Sequence, residues 1–150
     1  MTQPGTFDGY ARLYGPIAVL SFTLSFLPLF DDVVERDAGS TLRRHFGNLY
    51  ETAATSGGEP AMIGILLLMV LIALLVGLTF RTPPPAVPAT VVCLAGLIVL
   101  MLVTKPGTGD PAPDLSYAGV ADVALAVATM ALGTAHFVHL LRHPGRRSPE

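Results

Sequence analysis

The sequence predicts an all-α integral membrane protein: four transmembrane helices in a bundle, plus a short amphipathic helix in the loop between the first two. Two observations predict it. Of the 150 residues, 51% are hydrophobic and 13% are charged, whereas soluble domains carry about 25% charged residues. A chain this short and this poor in charge cannot cover a water-facing surface. The apolar residues also collect into four long runs, separated by polar or Pro/Gly-rich stretches. The length suits one domain.

The first run, "LYGPIAVLSFTLSFLPLF" (residues 13–30), is near the lower limit for crossing a hydrocarbon core of about 30 Å. Pro16 suits a first helical turn, and Pro28 kinks or finishes the helix. Ser21 and Ser25 share a face, where hydroxyls bond backbone carbonyls or a neighbouring helix. The weak N-terminal charge and the lack of an A-x-A site point to an uncleaved first span.

The second run, "AMIGILLLMVLIALLVGLTF" (residues 61–80), contains no charge and is apolar all round, which suits broad lipid contact. The third, "AVPATVVCLAGLIVLMLVT" (residues 86–104), follows a linker, "RTPPP", short enough to force an antiparallel hairpin. Cys93 lies within it and has no partner for a disulfide or a thiolate metal site. The fourth, "YAGVADVALAVATMALGTAHFVHLL" (residues 117–141), is about 37 Å long as a helix. Its ends reach the headgroups or it tilts. Ser116 is placed to cap it. Residues 142–150 form a C-terminal tail.

The longest polar stretch, residues 31–60, joins the first two runs. With Ser40 as cap, Leu42, Phe46, Leu49, Tyr50 and Ala53 fall on one face of a helix over residues 41–54. That helix would lie on the membrane surface or on the bundle. The same stretch also reads as a flexible acidic loop.

Orientation follows from the cations. Arg12, Arg81, Arg142, Arg146 and Arg147 fall on one side of a four-span chain, and Arg36, Arg43, Arg44 and Lys105 on the other. The bias is five to four. It selects both termini cytoplasmic in the plasma membrane, with residues 31–60 outside. Arg142, His143, Arg146 and Arg147 then suit contact with anionic lipid headgroups. The net charge of −2 supplies no basic field for nucleic acid.

The fourth run holds the candidate functional groups. Asp122, Thr129, His136 and His143 recur every seven residues and drift slowly around one face. His136, His139 and His143 lie within an arc of about 60°. Beside them, Ala121, Ala124, Ala128, Ala131 and Ala135 form a small-residue ridge, which lets helix backbones approach closely in a bilayer. An Asp at a helix centre costs about 2.5–3.5 kcal/mol to insert, and less near an interface. Asp122 reads either as a proton or cation site, as an ion-pair partner of Arg43, Arg44 or Lys105, or as an interfacial acid that reaches water.

The histidines are weak metal candidates, because zinc wants a third or fourth ligand and no second His or Cys cluster exists. A haem pair would need a ligand from another helix, and the first three runs offer none. No cofactor is expected. The remaining readings put His139 and His143 among lipid headgroups and His136 against a neighbouring helix, or make the histidines pH-responsive. A proton path from Asp122 to His136 would cover about 21 Å, with Thr129 alone between them.

No nucleotide-binding, metalloprotease or thiol-redox motif is present, and no catalytic set can be assigned. The leading expectation is a structural or accessory membrane protein that binds protein partners through the fourth helix and the 31–60 loop. The alternative is a homo-oligomeric transporter or proton/ion-coupled protein using Asp122 and His136. A weaker one is a metal- or haem-binding membrane protein.

Overall fold

The computed structural model describes residues 7–37, 40–54, 58–80 and 83–142. In chain order the elements are α1 (Phe7–Leu24), β1 (Val33–Asp37), β2 (Ser40–Arg44), α2 (Leu49–Ala53), α3 (Glu59–Phe80), α4 (Ala86–Thr104) and α5 (Tyr117–Arg142). Among the described residues, three helices are long and apolar enough to cross a membrane: α3, α4 and α5. In their most apolar stretches only 22%, 28% and 22% of residues are buried by the rest of the chain. Met62, Leu66, Leu100 and Val103 are exposed, and Phe80 is 80% exposed. Contiguous apolar surface on this scale is stable against lipid and unstable against water.

The first apolar run behaves differently from expectation. Its helix covers Phe7–Leu24 rather than residues 13–30, and it does not join the three spanning candidates. The helix starts early, in a stretch that carries Asp8 and Arg12, and this dilutes its apolar character. It also stops early. Proline disfavours helical geometry in the residue before it, so Pro28 sets a limit that the backbone meets with a tightened turn. Phe26 N–H donates to the Thr23 carbonyl (3.3 Å) and Leu27 N–H to that of Leu24 (2.9 Å). Pro16, expected in a first turn, lies inside α1. Beyond the turn the chain extends and lies antiparallel to the segment before α5. Asp31 N–H donates to the Asp114 carbonyl (2.9 Å) and Ser116 N–H to the Leu29 carbonyl (3.0 Å).

The loop helix expected over residues 41–54 is replaced in its first part by a β-hairpin. β1 and β2 pair antiparallel, with Val33 opposite Arg44 and Asp37 opposite Ser40. Ser40 therefore ends a strand pair rather than capping a helix. Val33, Val34 and Thr41 are β-branched and favour strands, and the ladder satisfies backbone groups that one short helix would leave open. Helix forms only at Leu49–Ala53, where Asn48 caps it. The Asn48 side chain accepts from the amides of Tyr50 and Glu51 (3.0 Å each), and Glu51 Oε2 accepts from the Asn48 amide (3.0 Å). This reciprocal box is the local reason for α2.

The helices meet in a cycle: α1 packs on α3, α3 on α4, α4 most extensively on α5, and α5 returns to α1. The core holds Tyr14, Ala18, Leu71, Leu75, Val91, Ala95 and Ala126. Two glycines set the spacing of α5. A Cβ at Gly133 would press Val92 Cγ2 (2.9 Å) and the Pro88 carbonyl oxygen (3.3 Å) on α4. One at Gly119 would run into the Leu29 carbonyl oxygen. Ser116 caps α5, its hydroxyl accepting from the Gly119 amide (3.1 Å) and donating to the Pro28 carbonyl.

Candidate functional site

α5 presents Ala126, Thr129, Gly133 and His136 to the core, and all four are buried. Its polar groups fall into two separate settings, one at each end.

At the C-terminal end, His136 is 3% exposed. Its Nδ1 makes a 3.0 Å hydrogen bond with the hydroxyl of Tyr14, which α1 brings across and which is fully buried. The Tyr10 ring lies flat on the imidazole, with centroids 4.6 Å apart and 3° between the planes. Tyr10 and Tyr14 are four residues apart, so one face of α1 supplies both. Tyr10 also reaches the ring of His139 (5.9 Å, tilted). Nε2 of His136 is buried and meets no hydrogen-bond partner among the described residues. A neutral imidazole carries one donor and one acceptor nitrogen. Tyr14 occupies one of them, and the other retains its proton-binding or hydrogen-bonding capacity.

At the N-terminal end, Asp122 lines a cavity of about 620 Å³. Leu68 of α3 and Ile98, Met101 and Leu102 of α4 supply apolar wall, and Phe30, Phe46 and Leu49 come from the loop between α1 and α3. Arg44, His45, Glu51 and Lys105 supply the polar lining. The loops are tied together over this end. Arg44 donates to the carbonyls of Thr108 (3.1 Å) and Pro111 (3.0 Å), and Lys105 Nζ to that of Pro113 (2.6 Å). Tyr50 and Ser25 share a hydroxyl pair at 3.1 Å. Asp32 gathers Arg43 (2.6 Å) and His45 (2.8 Å) and accepts from the Phe46 amide (3.3 Å). Desolvation alone would raise the Asp32 carboxyl. The hydrogen bonds from Arg43, His45 and Phe46 outweigh it and hold the group below its ordinary value.

The expected partners of Asp122 are thus engaged elsewhere: Arg43 with Asp32, Arg44 and Lys105 with loop carbonyls. Among the described residues, no hydrogen bond or ion pair reaches the Asp122 carboxylate. Thr129, midway along α5, is 1% exposed and donates to the Leu125 carbonyl of its own helix (2.7 Å). The face that the sevenfold spacing groups together is therefore two sites joined by a locally satisfied threonine.

Ala121, Ala124, Ala128, Ala131 and Ala135 are all exposed, on the side of α5 turned away from the other helices. Arg142 is exposed at the helix end, while His143, Arg146 and Arg147 lie outside the described residues. With His143 outside, the described residues contain no group of three or more metal-ligating side chains.

Sequence reasoning passed over Tyr10 and Tyr14, although the Y-x-x-x-Y spacing on a helix with buried serines was a usable signal. It also passed over N-x-x-E at Asn48 and Glu51, a capping box in plain view. The cavity had no sequence signal, since its walls come from five separate segments. Comparison with protein families, with curated proteins and with solved structures finds no match for this chain.

Proposed function

We propose that the protein is a multi-pass plasma-membrane protein of structural or accessory type. α1 acts as a fourth span beside α3, α4 and α5, which makes the helix cycle a four-helix bundle. Both termini are cytoplasmic and residues 31–60 lie outside. Partners dock on the outward face of α5 and on the hairpin loop. The observation that carries this reading is the exposure of all five alanines along α5. α4 is served by a different face of the same helix, so the alanine face is left for a second close helix contact in the bilayer.

Purification in mild detergent followed by native mass spectrometry tests it. A protein partner at fixed stoichiometry, lost in Ala128→Phe, is the expected result. A bare monomer from gently extracted native membranes overturns it.

One observation favours a second reading, a homo-oligomeric proton- or ion-coupled protein. Asp122 and His136 Nε2 are both without a protein partner among the described residues, and intramembrane titratable groups mark ion pathways. That reading expects a homo-oligomer and pH-dependent flux in liposomes, abolished by Asp122→Asn and by His136→Ala. Full flux in either variant excludes it.

A further inference from the structure

The geometry points to the Asp122 cavity as a binding site for one zwitterionic phospholipid of the ethanolamine type, its ammonium on Asp122 and its phosphate on Lys105. The inference rests on the membrane reading and is independent of the alanine face.

Position comes first. The cavity is walled by the start of α3, the end of α4 and the first turns of α5. In a bilayer, helix ends of this kind lie at headgroup depth. Size comes second: about 620 Å³ falls within the range of ligand-binding cavities. It holds a headgroup with the first part of its chains.

Charge decides the class. Glu51 also lines the cavity, and its carboxylate accepts from the Asn48 amide, a neutral donor that leaves its negative charge in place. Asp122 is met by no hydrogen bond or ion pair among the described residues. Lys105 donates to a neutral carbonyl, that of Pro113, so its positive charge has no carboxylate partner there. The two groups are not within ion-pair distance of each other. A cavity with opposite charges held apart over an apolar wall complements a zwitterion with an apolar body. A simple cation would face Lys105 and Arg44, and a simple anion would face Asp122 and Glu51. A carboxylate with open acceptor positions favours a primary ammonium, which donates hydrogen bonds.

The backbone at Lys105 adds a second observation. Lys105 is the one non-glycine described residue with positive φ (50°). It caps α4 in left-handed geometry, a conformation that side-chain-bearing residues seldom adopt. Glycine is the usual residue there. Lys105 itself lines the cavity, and its Nζ donates to the Pro113 carbonyl (2.6 Å).

The test is native mass spectrometry of the full chain, titrated with phosphatidylethanolamine, phosphatidylcholine and phosphatidylglycerol of identical acyl chains. Membrane fractionation precedes it. Recovery in the soluble fraction would fail the membrane reading itself, whereas an integral protein without headgroup preference fails only this site. Phosphatidylethanolamine is expected to bind about tenfold tighter than the other two, one charged hydrogen-bonding pair's worth.

Asp122→Asn reduces that preference to less than about twofold. Lys105→Gly weakens all three lipids alike, since each carries the phosphate, and it relaxes the αL cap, so its loss of binding is not a folding defect. Gly64→Leu blocks all three lipids, because a Cβ at Gly64 sits in ordinary contact with Leu49 and Met101 (3.6 and 4.0 Å) and a longer side chain extends into the cavity. Equal binding of the three lipids, an unchanged preference in Asp122→Asn, or chainless phosphoethanolamine binding as tightly as the lipid each overturns the proposal.

Discussion

The two ends of α5 treat a titratable side chain in opposite ways. At one end His136 is sandwiched by Tyr10 and bonded to Tyr14, so the imidazole is part of the α1–α5 contact. At the other, Asp122 faces a cavity roofed by loops, with no bond reaching it among the described residues. Both residues sit on one helix and share one heptad-spaced face. Burial alone does not reveal a role; what the neighbours supply does. His136 is tied into the helix contact by its neighbours, whereas Asp122 meets no protein partner among the described residues.

That comparison can be broken first at the helix spacing both ends depend on. Gly119→Val drives a side chain into the Leu29 carbonyl. It should produce the largest loss, about 3 kcal/mol or more by analogy with severe overpacking, read as lost folded yield and a lower Tm in detergent. His136→Ala comes next. It strands the buried Tyr14 hydroxyl and opens a void under Tyr10, and should cost about 2–3 kcal/mol. Tyr14→Phe should cost about 1–2 kcal/mol, and the double variant less than the sum, with a coupling near 1 kcal/mol. Additive losses would remove the bond from the account. Asp122→Asn should shift stability by less than about 0.5 kcal/mol. A loss as large as that of His136→Ala would erase the contrast between the ends.

Two local effects belong to the loop roof. Asn48→Ala removes the capping box and should cost about 1 kcal/mol. Hydrogen exchange should rise in Leu49–Ala53 and stay unchanged around His136. The Asp32 cluster adds a pH dependence of defined sign. Its folded-state pKa is depressed, so its contribution is fully present above the unfolded value of about 3.9 and is lost as pH falls through the folded value. Exchange at Arg43–Phe46 should accelerate across that acid window, and Asp32→Asn should show the fast exchange at every pH.

Much of the scaffold was readable from residues alone. The uncharged run of α3, the triple proline before α4 and the serine before α5 each act within a few residues of themselves, so local rules reach them. The first run was misplaced because apolarity was weighed above the early start at Phe7 and the reach of Pro28. The hairpin was missed because Leu42, Phe46, Leu49 and Tyr50 satisfy a helical period whether or not a helix forms. Strand pairing between Val33 and Arg44 is a contact between separated segments, and periodicity within one segment cannot express it.

Hydropathy and proline placement, taken from the sequence by itself, determined three helices long and apolar enough to cross a membrane and the turns that end them, because the cost of exposing apolar surface and of losing an amide donor is paid locally. Only the tertiary structure decided that Tyr14 meets His136 and that Asp122 opens into a cavity. Those relations join residues more than a hundred positions apart or walls drawn from five segments, and they exist only once the helices have packed.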